Sequence, residues 1–365
     1  MISSSRSLIF LLGAYMFMLG VIWTGYEKEF RIQLIQARWD VNKTTNKTEE
    51  KELVKITKTP KDSVAQILLK TTTAAYNQKF DTVLTSPGFR MALRRKSDVV
   101  SHFIRNSGMW DGSTSYIMLQ VMSSKQGNHT IVDFGANLGW FSLLAASKGH
   151  HAISIEALHA NMEKLQHSVA VNGFESKIEM HSYALSGKIE DPVCMGFHIQ
   201  DGASNAGNGQ MRRNGACLEW ANVSTLDTIV QNRDILFMKA DCEGCEAAAF
   251  MGGYNLFLSR PPCSVVIEWR PKSMRQVGDF EPSRVVRMFK ETGYTFLQYR
   301  GHLVTGQGVQ IMELDNNRLS ILNDDNIDVL LLHNSKRCFT KNSVAYHNLI
   351  DSINLKGNSN AAIAL

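Results

Sequence analysis

The stretch Thr130-Ile-Val-Asp-Phe-Gly-Ala-Asn-Leu-Gly-Trp140 decides the fold. Ile131, Val132 and Phe134 supply a buried strand, Gly135 and Gly139 make a turn, and Trp140 to Ala146 continue as a helix. Glycines at such a turn leave room for a ligand against the backbone, and the first amides of the helix favour a polar or charged group there. The next apolar run, His151-Ala-Ile-Ser-Ile155, ends at Glu156, about 20 residues past the first glycine, where a carboxylate can hold a ribose hydroxyl pair. The pattern predicts a cradle for a ligand carrying adenosine. It is not the dinucleotide fingerprint G-x-G-x-x-G, since Ala136 and Asn137 follow Gly135 and the next glycine is Gly139, and nicotinamide drops in rank accordingly.

Working outward, apolar runs alternate with helical patterns, which implies a mostly parallel sheet covered by helices on both faces. Strands are expected at 130–134, 151–155, 178–184, 235–240, 263–268, 294–299 and 328–332. Leu158 to Val171 and Pro282 to Thr292 read as amphipathic helices, the first stopped by Asn172-Gly173. Residues 62–128 read as a mainly helical lead-in, 129–340 as the domain proper and 341–365 as a polar tail. Gly187 to Val223, rich in glycine and asparagine, breaks the alternation and is long enough to be a functional loop over an acceptor site.

A second block, Asp234-Ile-Leu-Phe-Met-Lys-Ala-Asp-Cys-Glu-Gly-Cys-Glu246, places another apolar strand before a cluster of acids. With Asp133 just ahead of the glycine turn, the first block resembles the first motif of class I S-adenosylmethionine-dependent methyltransferases. The order Val223-Ser-Thr-Leu-Asp227, then Lys239 to Glu246, then Pro262-Cys-Ser-Val-Val-Ile-Glu268 resembles the FkbM family of those enzymes, from about Ser97 to Leu332. Alanine follows Glu156 where that family usually has proline, and Cys242 and Cys245 interrupt the acidic motif.

The resemblance implies an α/β Rossmann-like fold with a seven-stranded sheet and S-adenosylmethionine as cofactor. Gly135, Ala136, Asn137 and Gly139 would cradle its methionine end, with Asp133 at the entrance; Glu156 would take the ribose, and Tyr183 and Ala184 would flank the adenine. Methyl transfer from a sulfonium is an in-line displacement that needs alignment and the handling of one proton. Asp241, Glu243, Glu268 and Lys239 are the candidates for acceptor chemistry, because strand ends in open α/β sheets line the ligand crevice. Paired acids can raise one pKa to make a general base, or bind a divalent metal through hard oxygens; both remain open. Glu243 and Glu246 have a competing role at the start of the next helix. Cys242 and Cys245 lack the further ligands a zinc site needs and read as a disulfide or two buried thiols. His150 and His151 would face opposite ways in a strand, which argues against a shared metal.

The ends of the chain carry a different signal. Leu8 to Trp23 is uncharged and apolar, and extension to Tyr26 gives, at about 1.5 Å per residue, a helix just long enough to cross a bilayer. No good cleavage site follows, so 1–26 reads as a cytosolic tip and signal anchor, and 27–61 as a stem. Flanking Lys28, Arg31, Arg38 and Lys43 argue for a cytosolic body, whereas the acceptor sequons at Asn42, Asn46, Asn128 and Asn222 argue for a lumenal one, the first two most strongly. A type II protein of the endoplasmic reticulum or Golgi is expected. The net charge of +5 is spread along 365 residues and gives no sign of nucleic-acid binding; the short cluster Arg90, Arg94, Arg95, Lys96 reads as a solvated helix face. Three functions compete: methylation of a sugar or glycan hydroxyl, methylation of a lipid or small metabolite, and a non-catalytic protein that keeps the cofactor fold.

Overall fold

A computed structural model describes residues 80–94, 98–197, 209–212, 217–277, 280–301, 309–316 and 318–354. The expected membrane span, the expected stem and the sequons at Asn42 and Asn46 lie outside the described residues. Among the described residues no helix is long and apolar enough to cross a membrane.

The chain opens with a hairpin, β1 (Asp81–Leu84) and β2 (Arg90–Leu93), followed by helices α1 (Val99–Ser107) and α2 (Gly112–Ser123). Then come β3 (Thr130–Phe134), α3 (Trp140–Ser147), β4 (His151–Ile155), α4 (His159–Asn172), β5 (Ile178–His181) and β6 (Ala184–Leu185). An excursion holds β7 (Val193–Phe197), β8 (Gly209–Arg212) and β9 (Glu219–Ala221). The main course resumes with β10 (Val223–Ser224), α5 (Leu226–Val230), β11 (Ile235–Ala240), α6 (Glu246–Met251), α7 (Tyr254–Ser259), β12 (Ser264–Trp269), α8 (Pro271–Val277) and α9 (Pro282–Glu291). It ends with β13 (Tyr294–Gly301), β14 (Val309–Glu313), a 3₁₀ turn (Leu319–Asn323), β15 (Ile327–His333) and α10 (Val344–Ile353).

The main sheet has eight strands in the order β14-β13-β15-β12-β11-β3-β4-β5. The five from β12 to β5 are parallel, while β15 runs against both β12 and β13, and β14 runs against β13. The expected seven-stranded sheet is therefore corrected to eight strands of mixed direction, the addition being β14 at the edge. Central β11 is buried along its whole length, as a parallel strand covered on both faces must be. Alternating side chains feed two cores: Ile131, Phe237 and Val266 pack with α2, α3 and α10 on one face. Val132, Met238 and Val265 pack with α6, α7 and α9 on the other.

Four sequence expectations change in detail. The third strand stops at His181, because Ala184 and Leu185 turn away to pair with Val223 and Ser224. The described part of the helical lead-in begins with a hairpin, whose Ala92 amide is bonded to Ser168 Oγ of α4 at 2.9 Å. The polar tail contains α10, whose Tyr346, Leu349 and Ile353 enter the core. Arg94, expected on a solvated face, is buried and paired with Asp98 at 3.3 Å.

Candidate active site

The chain runs from β3 outward to β4 and β5, then crosses back to β11 and β12 on the other side of β3. Ligands in open α/β sheets bind beyond the carboxyl ends of the strands at such a switch point. The turn after β3 and the acidic turn after β11 meet there, with the Asp241 amide donating to the Phe134 carbonyl at 3.1 Å. One pocket takes in Gly135, Ala136, Asn137, Glu156, Tyr183 and Ala184 on one side and Lys239, Asp241 and Glu243 on the other. The sequence-predicted residues are thus largely brought together.

Two glycines act differently from expectation. A Cβ on Gly135 would overlap the Asp241 carbonyl oxygen, and one on Gly139 would overlap Leu165 of α4. Both have positive φ, 71° and 85°. The fold therefore requires glycine at these positions because protein atoms fill the space a side chain would use, and Gly139 does not line the pocket. Asp133 is corrected as well: it is wholly buried, and one oxygen accepts from the Ser142 amide at 3.1 Å and the Ser142 hydroxyl at 2.7 Å. Burial pushes its pKa up against the pull of Lys239. It braces the start of α3 from within.

Glu156 stands in the pocket wall as expected. Its Oε2 accepts from the Asn137 amide at 2.7 Å, and its Oε1 accepts from the Leu158 amide at 2.8 Å and Asn161 Nδ2 at 3.2 Å. A carboxylate offers about four acceptor positions, so Oε2 keeps capacity for a further donor. Asn137 beside it has φ 52°, and its side-chain oxygen is buried without a hydrogen-bond partner. An acceptor left this way asks for a donor from a ligand. The residues present fit a ligand with ribose hydroxyls and an amino group, as S-adenosylmethionine has.

The acidic side is an electrostatic network. Lys239 Nζ lies 2.9 Å from Asp241 Oδ2 and 5.1 Å from the centre of the Phe141 ring. Burial opposes the lysine charge, but Asp241 and Asp133 outweigh it and hold the ammonium above its ordinary pKa. Burial likewise opposes the charge of Asp241, yet Lys239, a hydrogen bond from Glu268 and the Arg270 guanidinium keep its carboxyl below the usual range. The negative charge of Asp241, then burial, pushes Glu268 up, with Arg270 opposing. The two carboxyls are thereby driven apart, Asp241 toward its charged form and Glu268 toward its protonated one. Asp241, Glu243 and Glu268 present ligand oxygens all within 4.8 Å of one another, a geometry that also suits a metal ion. Glu246 faces inward instead, accepting from the Cys242 and Gly244 amides at 2.8 and 3.0 Å.

Sequence reasoning missed Arg270, whose Nη2 lies 2.6 Å from Glu268 and 3.4 Å from Asp328 across the β12–β15 ladder. Its place two residues after Glu268 was the only signal. It also missed the wall built by the lead-in, where Met91, Val99, Val100 and Trp110 line the pocket. The glycine-rich excursion does reach the site. Its strands β7, β8 and β9 form a small antiparallel sheet tied by a Cys194–Cys217 disulfide, and Met195, Gly209 and Met211 face the pocket.

Several solved structures resemble the chain at low identity. Precorrin-6Y C5,15-methyltransferase from Geobacter metallireducens GS-15 is 8% identical over 66% of this chain and 94% of its own, with a TM-score of 0.32. The Pyrococcus abyssi tRNA (uracil-54, C5)-methyltransferase, solved with S-adenosyl-L-homocysteine, is 11% identical over 70% of this chain and 44% of its own, TM-score 0.32. The bifunctional kinase-methyltransferase WbdD is 9% identical over 72% and 46%, TM-score 0.38. No curated protein matches the chain. The family model for the methyltransferase FkbM domain matches residues 133–296, the span from the aspartate of β3 to the middle of β13 and so the whole acid-and-glycine pocket. By that match, residues 133–296 are similar to the methyltransferase FkbM domain.

Proposed function

We propose that the chain is an O-methyltransferase acting on a hydroxyl of a sugar or glycan, anchored by its N-terminal helix with its body in the lumen of the endoplasmic reticulum or Golgi. The observation that carries the reaction type is the Asp241–Glu268 pair beside Lys239, across the pocket from Asn137 and Glu156. When bound, S-adenosylmethionine supplies a methyl group on a positively charged sulfur. Glu156 and Asn137 would hold it. Lys239 keeps Asp241 ionised, so Asp241 orients an acceptor hydroxyl through its hydrogen and takes the proton as the new oxygen–carbon bond forms. Glu268, protonated and braced by Arg270, donates to Asp241 and limits its charge. A divalent ion on Asp241, Glu243 and Glu268 would displace that proton and polarise the hydroxyl directly.

A sugar presents hydroxyls on its rim and C–H groups on its faces. Carboxylates together with Val99, Val100, Trp110 and Phe141 are suited to both. Met91, Met195 and Met211 in the same wall favour the second reading, an apolar small metabolite or lipid. The oxidising compartment has support in the cysteines: all are paired, as Cys194–Cys217, Cys242–Cys245 and Cys263–Cys338. Calorimetric titration of S-adenosylhomocysteine into the full chain tests the pocket. Binding that weakens by about 1–3 kcal/mol in Glu156→Ala supports it, and equal affinity in a folded variant contradicts it.

A further inference from the structure

Two cysteines interrupt the acidic turn, and neither takes part in the chemistry above. Cys242 and Cys245 are joined in a disulfide with Cα atoms 5.4 Å apart, and both border the pocket. The turn that carries them backs directly onto the glycine turn. A Cβ on Gly135 would overlap the Asp241 carbonyl and lie 3.1 Å from Cys242 Cα. Between the cysteines, Glu243 has φ 58° and Gly244 φ 108°. A left-handed residue other than glycine is strained and persists only where its surroundings hold it. Here the holders are the disulfide that spans it and the Glu246 carboxylate that gathers the Cys242 and Gly244 amides. Glu243 is one of the three clustered acids, so whatever fixes this turn also fixes the acid geometry.

We propose that the Cys242–Cys245 disulfide couples thiol redox state to cofactor binding, the oxidised turn holding the pocket in its binding shape and the dithiol turn releasing it. This rests on the cofactor reading above. Cys242 is partly exposed toward the pocket, while Cys245 is 4% exposed. An incoming thiolate therefore attacks Cys242 Sγ and expels the Cys245 thiolate, which takes up a proton. A dithiol reductant completes the exchange by attacking its own mixed disulfide. It leaves as a disulfide, having delivered two electrons and two protons to the cysteines. With the tie gone, Glu243 can relax out of the left-handed region, and the support behind Gly135 to Asn137 loosens. A ligand in the pocket, in turn, covers Cys242. The coupling is reciprocal, so a tenfold loss of cofactor affinity on reduction corresponds to a lowering of this disulfide's midpoint potential by about 30 mV when the cofactor is bound.

The test uses S-adenosylhomocysteine and the full chain. Affinity is measured in the oxidised protein, in protein reduced with dithiothreitol, and in the Cys242→Ala/Cys245→Ala variant, with alkylation and mass mapping to identify which bonds have opened. The expected result is at least tenfold weaker binding in the second and third, and a lowered midpoint potential for this bond when ligand is present. Equal affinity in all three, or a potential that the ligand does not move, overturns the coupling. Should the double variant fail to fold, the potential of the wild-type bond with and without ligand decides. Tight binding to the oxidised protein with no redox dependence refutes the coupling alone, whereas no binding in any form refutes the cofactor reading together with it.

Discussion

Lys239 sits between Asp133 on β3, its cross-strand partner, and Asp241 just past the end of its own strand. That placement makes the two acids of the site unequal, and their unequal roles can be tested. Asp241→Asn keeps size but removes the charge that takes the proton. Turnover should fall by about 10²-fold or more with cofactor affinity unchanged. Glu268→Gln keeps a donor where the wild type holds a proton, so it should retain far more activity than Asp241→Asn at neutral pH. It should also remove the alkaline fall in rate expected of the wild type as Glu268 loses its proton above its raised pKa. The same variant separates the metal version: abolished activity together with lost divalent-ion binding would mean that Glu268 is a ligand. Residue types at this scale were legible, since Asp241, Glu243, Glu268, Glu156 and Asn137 all stand in or against the pocket. The burial of Asp133 was not, because the Ser142 hydroxyl that accounts for it lies in the next helix.

The turn from Asp241 to Glu246 and the turn from Gly135 to Gly139 are the elements on which the site depends. Gly135→Ala and Gly139→Ala should each destabilise the fold by about 1–3 kcal/mol, from positive φ and from overlap with Asp241 or Leu165, as read by denaturant unfolding. Burial pushes Glu246 up to about 7 from 4.5, because it is 1% exposed and its amide bonds only partly offset desolvation. The folded chain thus binds this proton more tightly than the unfolded chain. Its contribution is present below about pH 4.5 and is lost as pH rises through about 7, of order 3 kcal/mol in all. Glu246→Gln should remove that slope, so the variant gains on the wild type in melting temperature between pH 5 and pH 8. An equal slope in both would show that Glu246 does not hold the turn. Strand positions were readable because β3, β4, β11, β12 and β15 are predominantly apolar runs. β14 and the excursion strands were not, since Val309–Glu313 is a short, mostly exposed edge strand and β7 to β9 are short strands that pair only with one another.

At the scale of the whole molecule, the excursion and the lead-in both supply pocket wall, and helix α10 packs against α2 and β14 in the core that α2 and α3 share. Leu349→Ala should cost about 2–5 kcal/mol, showing that the chain past residue 343 belongs to the fold, where composition alone read a tail. Asn128 and Asn222 are exposed, so a lumenal body should carry glycan there as well as in the stem. Endoglycosidase treatment that leaves mobility unchanged, with the body digested in sealed microsomes, would mean a cytosolic enzyme. The pocket wall was not legible because the tertiary fold assembles it from separate segments, among them those of Val99, Trp110, Met195 and Met211. The most direct test of the central claim is transfer of a labelled methyl group from S-adenosylmethionine to lumenal glycan extract by the full chain, run beside Asp241→Asn. The account predicts label in oligosaccharide, stable to mild base as an ether is, and lost by about 10²-fold or more in the variant. Equal labelling by both proteins, or none by a wild type that binds the cofactor, would contradict it.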